Sequence, residues 1–437
     1  MPNRFARLPE AVVGVVRVSR GAACLLLVGL AGCASGPAPY PFAHEPIGTA
    51  EQVYAGTLRP DLAVNTYRNI DRLFPSRTIK AGRHSQELPR ADTPLTDLTF
   101  SYQGRAYNLP EFLALDSITG LLIIRDGEIL HESYQRGNTS QTRWMSMSVA
   151  KSVTSTLAGI AIKEGRIKSV DSQVIDYLPA LKGTAYDGVS VRNLLMMASG
   201  AKWSETSTDP ASDRRALLRI QMAQQPGAAL VLMSHLTRAN APGTVFNYNT
   251  GEAQVLGELV RAAVGKPLAQ YFSEKVWQPY GMEADATWWL DSPDGMEIGG
   301  SGIAATLRDY GRFGLFFMNN GVVDGQSILP EHWVHDATTA KTLASGKEAG
   351  YGYMWWTAST KGSLQDHAYA ATGLQGQNIY VDPVEKVVIV TFGAQPKPLN
   401  KDAINPMVFF DAVVDTLRKQ DAVGPVVTAG RGGRVQP

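Results

Sequence analysis

The chain has 437 residues, of which 44% are hydrophobic, and its formal net charge is +1 because 41 basic residues nearly balance 40 acidic ones. This length and apolar content suit a large globular core, and the even charge gives no electrostatic reason to expect a nucleic-acid partner. Both cysteines, Cys24 and Cys33, lie near the N-terminus, so the rest of the chain can form neither a disulfide nor a thiolate metal site.

Residues 1–32 are predicted to be a lipoprotein signal peptide. Arginines precede an uncharged apolar run at 22–31, which is too short to span a bilayer. The run ends in Leu30-Ala31-Gly32-Cys33, which resembles the bacterial lipoprotein box, where the peptide is cut before the cysteine and the cysteine is lipidated. An ordinary signal peptide with an incidental cysteine is the alternative. We expect a protein of the bacterial cell envelope, held to the membrane only by a lipid on Cys33. Because Ala34 follows, the resemblance favours the outer membrane, facing the periplasm.

Residues 33–95 are predicted to form a flexible tether and then an N-terminal extension that wraps the main domain. Turn signals such as Arg59-Pro60-Asp61 interrupt this extension. The main domain is expected to cover residues 96–420. Its first clear element is a hairpin over residues 121–134, in which two apolar runs flank Asp126-Gly127.

A core helix is predicted to begin at Ser148, because Val149, Val153 and Leu157 recur at helical spacing. Further helices, most of them in a helical region of about 166–290, are predicted at residues 172–178, 191–197, 214–225, 252–264, 268–279 and 306–318. Strands are predicted at residues 350–358, 368–372, 376–381 and 386–392. This order predicts an α+β fold, in which an antiparallel sheet is flanked by helices and carries an inserted, mostly helical region. The Gly- and Arg-rich tail at 421–437 is predicted to be disordered.

Ser148 and Lys151 form a Ser-x-x-Lys on the first turn of the predicted helix. Residues three apart share a helix face, so the hydroxyl and the amine would lie side by side. A serine needs an adjacent base to become a nucleophile, and a lysine can serve when burial lowers its pKa. The pattern alone is weak, since Ser199-Gly200-Ala201-Lys202 repeats it. That second copy follows a predicted helix rather than starting one, so we interpret it as a helix-end turn.

Three motifs occur in a characteristic order: Ser148-Val149-Ala150-Lys151, Tyr248-Asn249-Thr250 and Thr372-Gly373-Leu374. Together they resemble the serine β-lactamase and penicillin-binding-protein superfamily, over about residues 105–420. The resemblance is strongest to the class C-like branch, which includes the 6-aminohexanoate-oligomer hydrolases and related esterases. Further similar segments lie at residues 194–200, 301–309 and 351–356.

The resemblance implies a β-lactamase-like fold and a role for each matching residue. Ser148 would be the acylated nucleophile, Lys151 its proton partner, and Tyr248 the relay to the leaving group and to the deacylating water. We expect the phenolate of Tyr248 to become accessible beside an ammonium. The backbone N–H groups of Ser148 and Leu374 would form the oxyanion hole. The candidate substrate-binding residues are Thr250, Thr372, Gly373, Trp203 and Glu205.

Two departures from the family pattern bear on the substrate. Thr250 stands where the family often has Asn, and Ala371 stands where a lysine or histidine precedes Thr-Gly. Without that cation we expect small esters or linear amides rather than penicillin-type substrates. The alternatives are a D-amino-acid peptidase, a β-lactamase-type hydrolase, or a non-catalytic cell-envelope binding protein.

Each motif also has a purely structural interpretation. Ser148 and Lys151 could be a helix cap and a snorkelling lysine, Tyr248 a core-edge tyrosine, and residues 371–376 a sheet-end turn. No metal or organic cofactor is expected. His332 and His335 have helical spacing but lack the glutamate of a zinc hydrolase. The glycine-rich segment 299–302 does not follow a predicted strand, which argues against a nucleotide site.

Overall fold

The computed structural model describes residues 40–95, 98–398 and 404–423. The described residues from Phe42 onwards belong to one compact unit. The predicted signal peptide and Cys33 lie outside the described residues. Within the described ranges, no helix has both the length and the apolar character needed to cross a membrane.

The helices of the described residues lie mostly between the first and last strands of the main sheet. In chain order they are α1 (Ala50–Ala55), α2 (Pro60–Tyr67), α3 (Leu109–Leu115), α4 (Val149–Lys163), α5 (Val174–Tyr177), α6 (Val191–Leu195), α7 (Asp213–Met222), α8 (Ala228–Ser234), α9 (Thr250–Val264), α10 (Leu268–Phe272), α11 (Leu307–Met318), α12 (Trp333–Thr338), α13 (Lys361–Gln365) and α14 (Pro406–Val423).

The strands are short outside the main sheet. In chain order they are β1 (Ser76–Ile79), β2 (Thr99–Tyr102), β3 (Arg105–Asn108), β4 (Ile118–Arg125), β5 (Glu128–Tyr134), β6 (Trp144–Met145), β7 (Ala286–Trp289), β8 (Ile303–Ala305), β9 (Val322–Val323), β10 (Gln326–Ser327), β11 (Lys341–Thr342), β12 (Glu348–Ala349), β13 (Trp356–Thr357), β14 (Tyr369–Gly373), β15 (Gln377–Asp382) and β16 (Val387–Gly393).

The main sheet is antiparallel and has the strand order β13-β14-β15-β16-β4-β5. Alternate residues of its central strands enter two different cores. Leu122 and Ile124 of β4 face the core that contains α4 and α11. Leu121 and Ile123 face a second core formed with α3 and α14. Successive strand residues point to opposite faces, and helices cover both faces of the sheet. The predicted α+β architecture, an antiparallel sheet flanked by helices, is therefore confirmed.

The predicted hairpin around Asp126-Gly127 is confirmed as β4 and β5. Both turn residues have positive φ, 51° for Asp126 and 86° for Gly127. Aspartate tolerates this conformation and glycine adopts it without a steric cost, which explains why this dipeptide marks the turn.

The N-terminal extension contributes to the same core as the main domain. Tyr54, Val64 and Tyr67 are buried there. Strand β1 pairs with β7 in a second sheet of order β1-β7-β8-β6. That sheet ends at β6, immediately before Ser148, so it supports the backbone that leads into α4.

Several element predictions need correction. Residues 350–355 form turns, and only Trp356–Thr357 of the predicted strand 350–358 joins the main sheet. Tyr351, Tyr353 and Trp355 are each buried, and Tyr351 forms an isolated antiparallel bridge with Trp356 instead of joining the main sheet. The sequence predicts no helix at α8, which spans Ala228–Ser234. Helix α14 continues through Val423, past the predicted start of the tail, and residues 424–437 lie outside the described ranges.

Candidate active site

The chain makes a sharp turn between β6 and α4 that presents Ser148. Met147 has a φ of 43°, a left-handed conformation that a side chain rarely adopts. Ser148 then starts the helix with φ −70° and ψ −6°. It is half-buried, whereas the residues on either side of it, Met147 and Val149, are buried. The strained turn thus exposes one hydroxyl within an otherwise enclosed segment.

Neither structural interpretation of the Ser148–Lys151 pair fits this geometry. The Ser148 side chain makes no capping hydrogen bond to the helix. Lys151 does not extend to solvent, because it is 1% exposed. Instead its Nζ lies 2.8 Å from Ser148 Oγ and donates to the carbonyl of Gly300 at 2.9 Å. The hydroxyl and the amine therefore face each other, as the sequence predicts.

Burial lowers the pKa of Lys151 from 10.5 to about 7, while the charge of Glu205 opposes the fall and that of Arg214 adds to it. Removing an ammonium from water disfavours its charged form. Near neutral pH a large fraction of Lys151 is consequently uncharged. Its lone pair can then accept the Ser148 proton, which is the task of a general base.

Tyr248 lies beside this pair. Lys151 Nζ is 5.0 Å from the centroid of the Tyr248 ring. Burial, followed by the negative charge of Glu205, raises the pKa of Tyr248 well above its usual value, and a hydrogen bond with Ser148 opposes the rise. This direction disfavours the phenolate that the sequence led us to expect. A neutral Tyr248 hydroxyl is suited to donating or relaying a proton.

The end of β14 passes against the backbone before α4. A Cβ added to Gly373 would lie 2.5 Å from the Ser146 carbonyl oxygen and 3.0 Å from Ser148 N, so this approach requires glycine. Within the described residues, neither the Ser148 nor the Leu374 backbone N–H donates to a protein acceptor. Two free amides near a nucleophile suit the predicted oxyanion hole, although the segment is also a sheet-end turn.

The next residue, Gln375, links that turn to two segments that are distant in the sequence. It is buried and has a φ of 61°. Its backbone N–H donates to the Pro398 carbonyl at 3.1 Å, and its Nε2 donates to the Val53 carbonyl of α1 at 3.2 Å. The N-terminal extension thereby helps to hold the turn that carries Leu374.

Three of the predicted substrate-binding residues form one hydrogen-bonded group. Glu205 accepts from Trp203 Nε1 at 2.6 Å and from the Thr250 backbone N–H at 2.9 Å, both through Oε2, and the Thr250 hydroxyl donates to its Oε1. Thr250 begins α9, so the carboxylate also lies at a helix N-terminus, which favours negative charge. Thr372 is half-buried, makes no side-chain hydrogen bond within the described residues, and directly precedes Gly373.

An aromatic wall completes the site. Trp356 stacks on Tyr248 with ring centroids 5.4 Å apart, and Tyr351 packs edge-on against both. Trp356 is half-buried, whereas Trp355 is fully buried against Phe317. Of the two neighbouring tryptophans, Trp356 is the one that stacks on Tyr248 and faces the site.

Arg214 is a site residue that sequence reasoning missed. It is 4% exposed and lies beside Glu205, with Nε 3.9 Å from Oε1. Consecutive arginines on a polar helix look like a solvated face, so the sequence carried no signal for its burial. The aromatic residues at 351–356 were signalled by the family resemblance, but their arrangement was not.

The other candidate sites are not supported. His332 and His335 are 76% and 75% exposed, and no group of three potential ligands occurs in the part of the chain described. In the second Ser-x-x-Lys, Lys202 is exposed, while Ser199 is buried and donates to Glu252. Burial raises the pKa of Glu252 to about 8. That serine therefore belongs to a buried polar contact.

Comparison with known proteins gives consistent results. The family model "Beta-lactamase" matches residues 116–412. The 6-aminohexanoate-dimer hydrolase of Paenarthrobacter ureafaciens is 30% identical over 292 residues, which cover 63% of this chain and 72% of that protein. The D-aminopeptidase of Brucella anthropi is 26% identical over 172 residues, covering 37% of this chain and 31% of that one. A solved structure from Bacillus anthracis, provisionally assigned as a 6-aminohexanoate-dimer hydrolase, has a TM-score of 0.71 at 24% identity and covers 82% of this chain and 95% of its own.

Proposed function

This chain belongs to the beta-lactamase family of serine hydrolases, and from that membership and the site geometry we propose that it hydrolyses small esters or linear amides through an acyl-enzyme on Ser148. The observation that carries the proposal is the contact of Lys151 with Ser148. The buried Lys151 amine lies 2.8 Å from the Ser148 hydroxyl, and this hydroxyl does not cap the helix. Activation of the serine as a nucleophile explains this contact, whereas helix capping does not.

The proposed reaction has two halves. Ser148 Oγ attacks the carbonyl carbon while its proton passes to neutral Lys151, and the developing oxyanion accepts hydrogen bonds from the Ser148 and Leu374 amides. The proton then passes from Lys151 through the Tyr248 hydroxyl to the departing oxygen or nitrogen, the C–O or C–N bond breaks, and Lys151 is neutral again. A water molecule attacks the acyl carbon and gives its proton through Tyr248 to Lys151. The bond between the acyl carbon and Ser148 Oγ breaks, and Lys151 returns the proton to Oγ, which regenerates Ser148.

The substrate class is proposed from what surrounds the nucleophile. Ala371 supplies no cation beside Thr372, and the Thr250 hydroxyl is already bonded to Glu205. Neither position offers a ready contact for the carboxylate of a β-lactam. Two relatives, named as a 6-aminohexanoate-dimer hydrolase and a D-aminopeptidase, favour amide bonds. The second name keeps a D-amino-acid peptidase as the main alternative.

Three assays separate these possibilities. We expect wild-type protein to hydrolyse 4-nitrophenyl butyrate or the linear 6-aminohexanoate dimer faster than nitrocefin, and Ser148→Ala to lose at least about a thousandfold in rate. Faster nitrocefin hydrolysis would favour a β-lactamase instead. No turnover of any substrate would favour the non-catalytic binding protein. Turnover that persists in Ser148→Ala would instead show that Ser148 is not the nucleophile.

We further propose that the chain is a lipoprotein of the cell envelope, cut before Cys33 and anchored only through its lipid. The support is the segment Leu30-Ala31-Gly32-Cys33 after an apolar run. Expression of the full chain should place the wild type in the membrane fraction and Cys33→Ser in the soluble fraction. Equal partitioning of the two proteins would contradict this anchor.

A further inference from the structure

We propose that the Arg214 guanidinium is an anion-binding subsite of the Ser148 cleft, used by ester or amide substrates that carry a carboxylate away from the scissile bond. The inference rests on the proposed function, because it names the part of such a substrate that this arginine recognises. Arg214 lies on α7, an element different from the strand that carries Ala371, where the family pattern would place a cation.

The first support is how few partners Arg214 has. Its guanidinium stacks over the Tyr54 ring at 4.3 Å, and Nη2 donates to the Tyr54 hydroxyl. The approach of Nε to Glu205 at 3.9 Å is too long for a hydrogen bond. A guanidinium has five N–H donors, so within the described residues most of them lack an acceptor.

The second support is that these free donors remain accessible to solvent. The arginine is 4% exposed. Each nitrogen of its guanidinium either has a hydrogen-bond partner or keeps some accessible surface. Its small remaining exposed area therefore includes N–H groups. This nearly buried guanidinium already faces the Glu205 carboxylate, yet it keeps free donors towards accessible space. Those donors can receive a further anion, since buried donors without an acceptor are costly.

The third support is position relative to the nucleophile. Glu205, next to Arg214, is bonded to Thr250, and Thr250 packs against Gly300, where an added Cβ would lie 2.9 Å from Thr250 Cγ2. The Gly300 carbonyl accepts from Lys151. Glu205, Thr250 and Gly300 thus connect the guanidinium to the catalytic amine through a continuous series of contacts.

A second connection leads to the oxyanion turn. Tyr54, which holds Arg214, follows Val53, whose carbonyl accepts from Gln375 beside Leu374. Arg214 is therefore tied to both sides of the nucleophile. Its charge also lowers the pKa of Tyr248, after the larger effects of burial, Glu205 and Ser148, which agrees with a location near the site.

Glu205 does not exclude an incoming carboxylate. Its two oxygens already accept three hydrogen bonds from Trp203 and Thr250, which offset its charge. The planar guanidinium can bind a carboxylate through two parallel N–H···O bonds, and such charge-assisted pairs are the stronger class of hydrogen bond.

The test compares matched substrates in wild type, Arg214→Gln and Arg214→Lys. One pair places the charge on the acyl side: 4-nitrophenyl hydrogen glutarate against 4-nitrophenyl butyrate. The other places it on the leaving group: 4-butanoyloxybenzoate against its methyl ester. Arg219→Gln is the control, because Arg219 is an exposed arginine on the same helix.

We expect wild type and Arg219→Gln to prefer the anionic member of at least one pair by about tenfold or more in kcat/KM. Arg214→Gln should lose that preference, and Arg214→Lys should retain part of it. The loss of the Arg214 charge also acts on Lys151, so the anionic-to-neutral ratio within each pair, rather than either rate alone, reports the subsite. The neutral esters report whether the variants fold. No preference in either pair, or a preference that persists undiminished in Arg214→Gln, would overturn the subsite alone. No Ser148-dependent turnover of any ester would instead overturn the proposed function, and the subsite with it.

Discussion

Replacing Lys151 by arginine tests the proton acceptor most sharply. The substitution keeps a long cationic side chain but removes the ability to become neutral, since the pKa of arginine exceeds about 12. We expect kcat/KM for 4-nitrophenyl butyrate to fall by about a thousandfold, within the range that general-base catalysis contributes.

The magnitude follows from the burial of Lys151. At pH 7 a lysine with its ordinary pKa is neutral in roughly 0.03% of molecules. With the pKa lowered to about 7 by burial, about half of the molecules carry a neutral amine. The fold thus increases the competent fraction by roughly a thousandfold, which is the advantage that an arginine at this position cannot have.

The assay is the pH dependence of kcat/KM from pH 5.5 to 9. Because neutral Lys151 is the active form, wild-type kcat/KM should rise about tenfold per pH unit below pH 7 and level off above it. Lys151→Met should be inactive yet at least as stable as wild type at pH 6, since it removes a buried charge. Lys202→Arg is the control, because Lys202 is the exposed lysine of the second Ser-x-x-Lys. A flat profile, or more than a tenth of the activity in Lys151→Arg, would refute the reasoning.

Three further substitutions test separate parts of the site. Tyr248→Phe keeps the stacking on Trp356 but removes the hydroxyl, so kcat should fall about a hundredfold, with acyl-enzyme accumulating in rapid-quench mass spectrometry. Gly373→Ala places a Cβ 2.5 Å from the Ser146 carbonyl oxygen, so the turn must shift and kcat should fall about tenfold or more. Gly362→Ala is the control, because a Cβ there has room and should leave kcat unchanged. Glu252→Gln should remove a pH dependence of stability. Burial raises the pKa of this carboxyl from 4.5 to about 8, so the wild type should lose up to about 1.4 kcal/mol of unfolding free energy per pH unit between pH 5 and 8, measured by urea denaturation.

Each of these has a contradicting result. Unchanged kcat in Tyr248→Phe would remove the tyrosine from proton transfer. Equal effects of alanine at Gly373 and Gly362 would mean that the Gly373 approach does not position the oxyanion amides. The same pH dependence of unfolding in Glu252→Gln and wild type would show that this carboxyl is not protonated in the folded protein.

Local patterns predicted the parts of the fold that depend on neighbouring residues. The hairpin at Asp126-Gly127 and the helix after Ser148 follow from turn chemistry and helical periodicity, and both are present. The family resemblance and the fold class are likewise confirmed by the family match. The strand predicted at 350–358 failed because alternating aromatic residues can be buried one by one in a loop. Their burial depends on partners such as Phe317, which are distant in sequence.

The electrostatics of the site could not be predicted from its motifs. The expected ammonium neighbour suggested an accessible Tyr248 phenolate, but burial and the charge of Glu205 raise the pKa of this tyrosine. The sequence predicts Arg214 to be a surface residue, but in the fold Tyr54 of α1 and Glu205 lie against it. Such pairings join residues that are far apart in the chain, and a pKa depends on all of them at once.

The most direct test of the central claim is covalent labelling of Ser148. Wild-type protein treated with a fluorophosphonate should gain the mass of one adduct, and peptide mapping should place it on Ser148. Ser148→Ala should gain none, and Lys151→Arg should react far more slowly than Lys202→Arg. Failure of the wild type to react, or an adduct on another residue such as Ser199, would contradict the account.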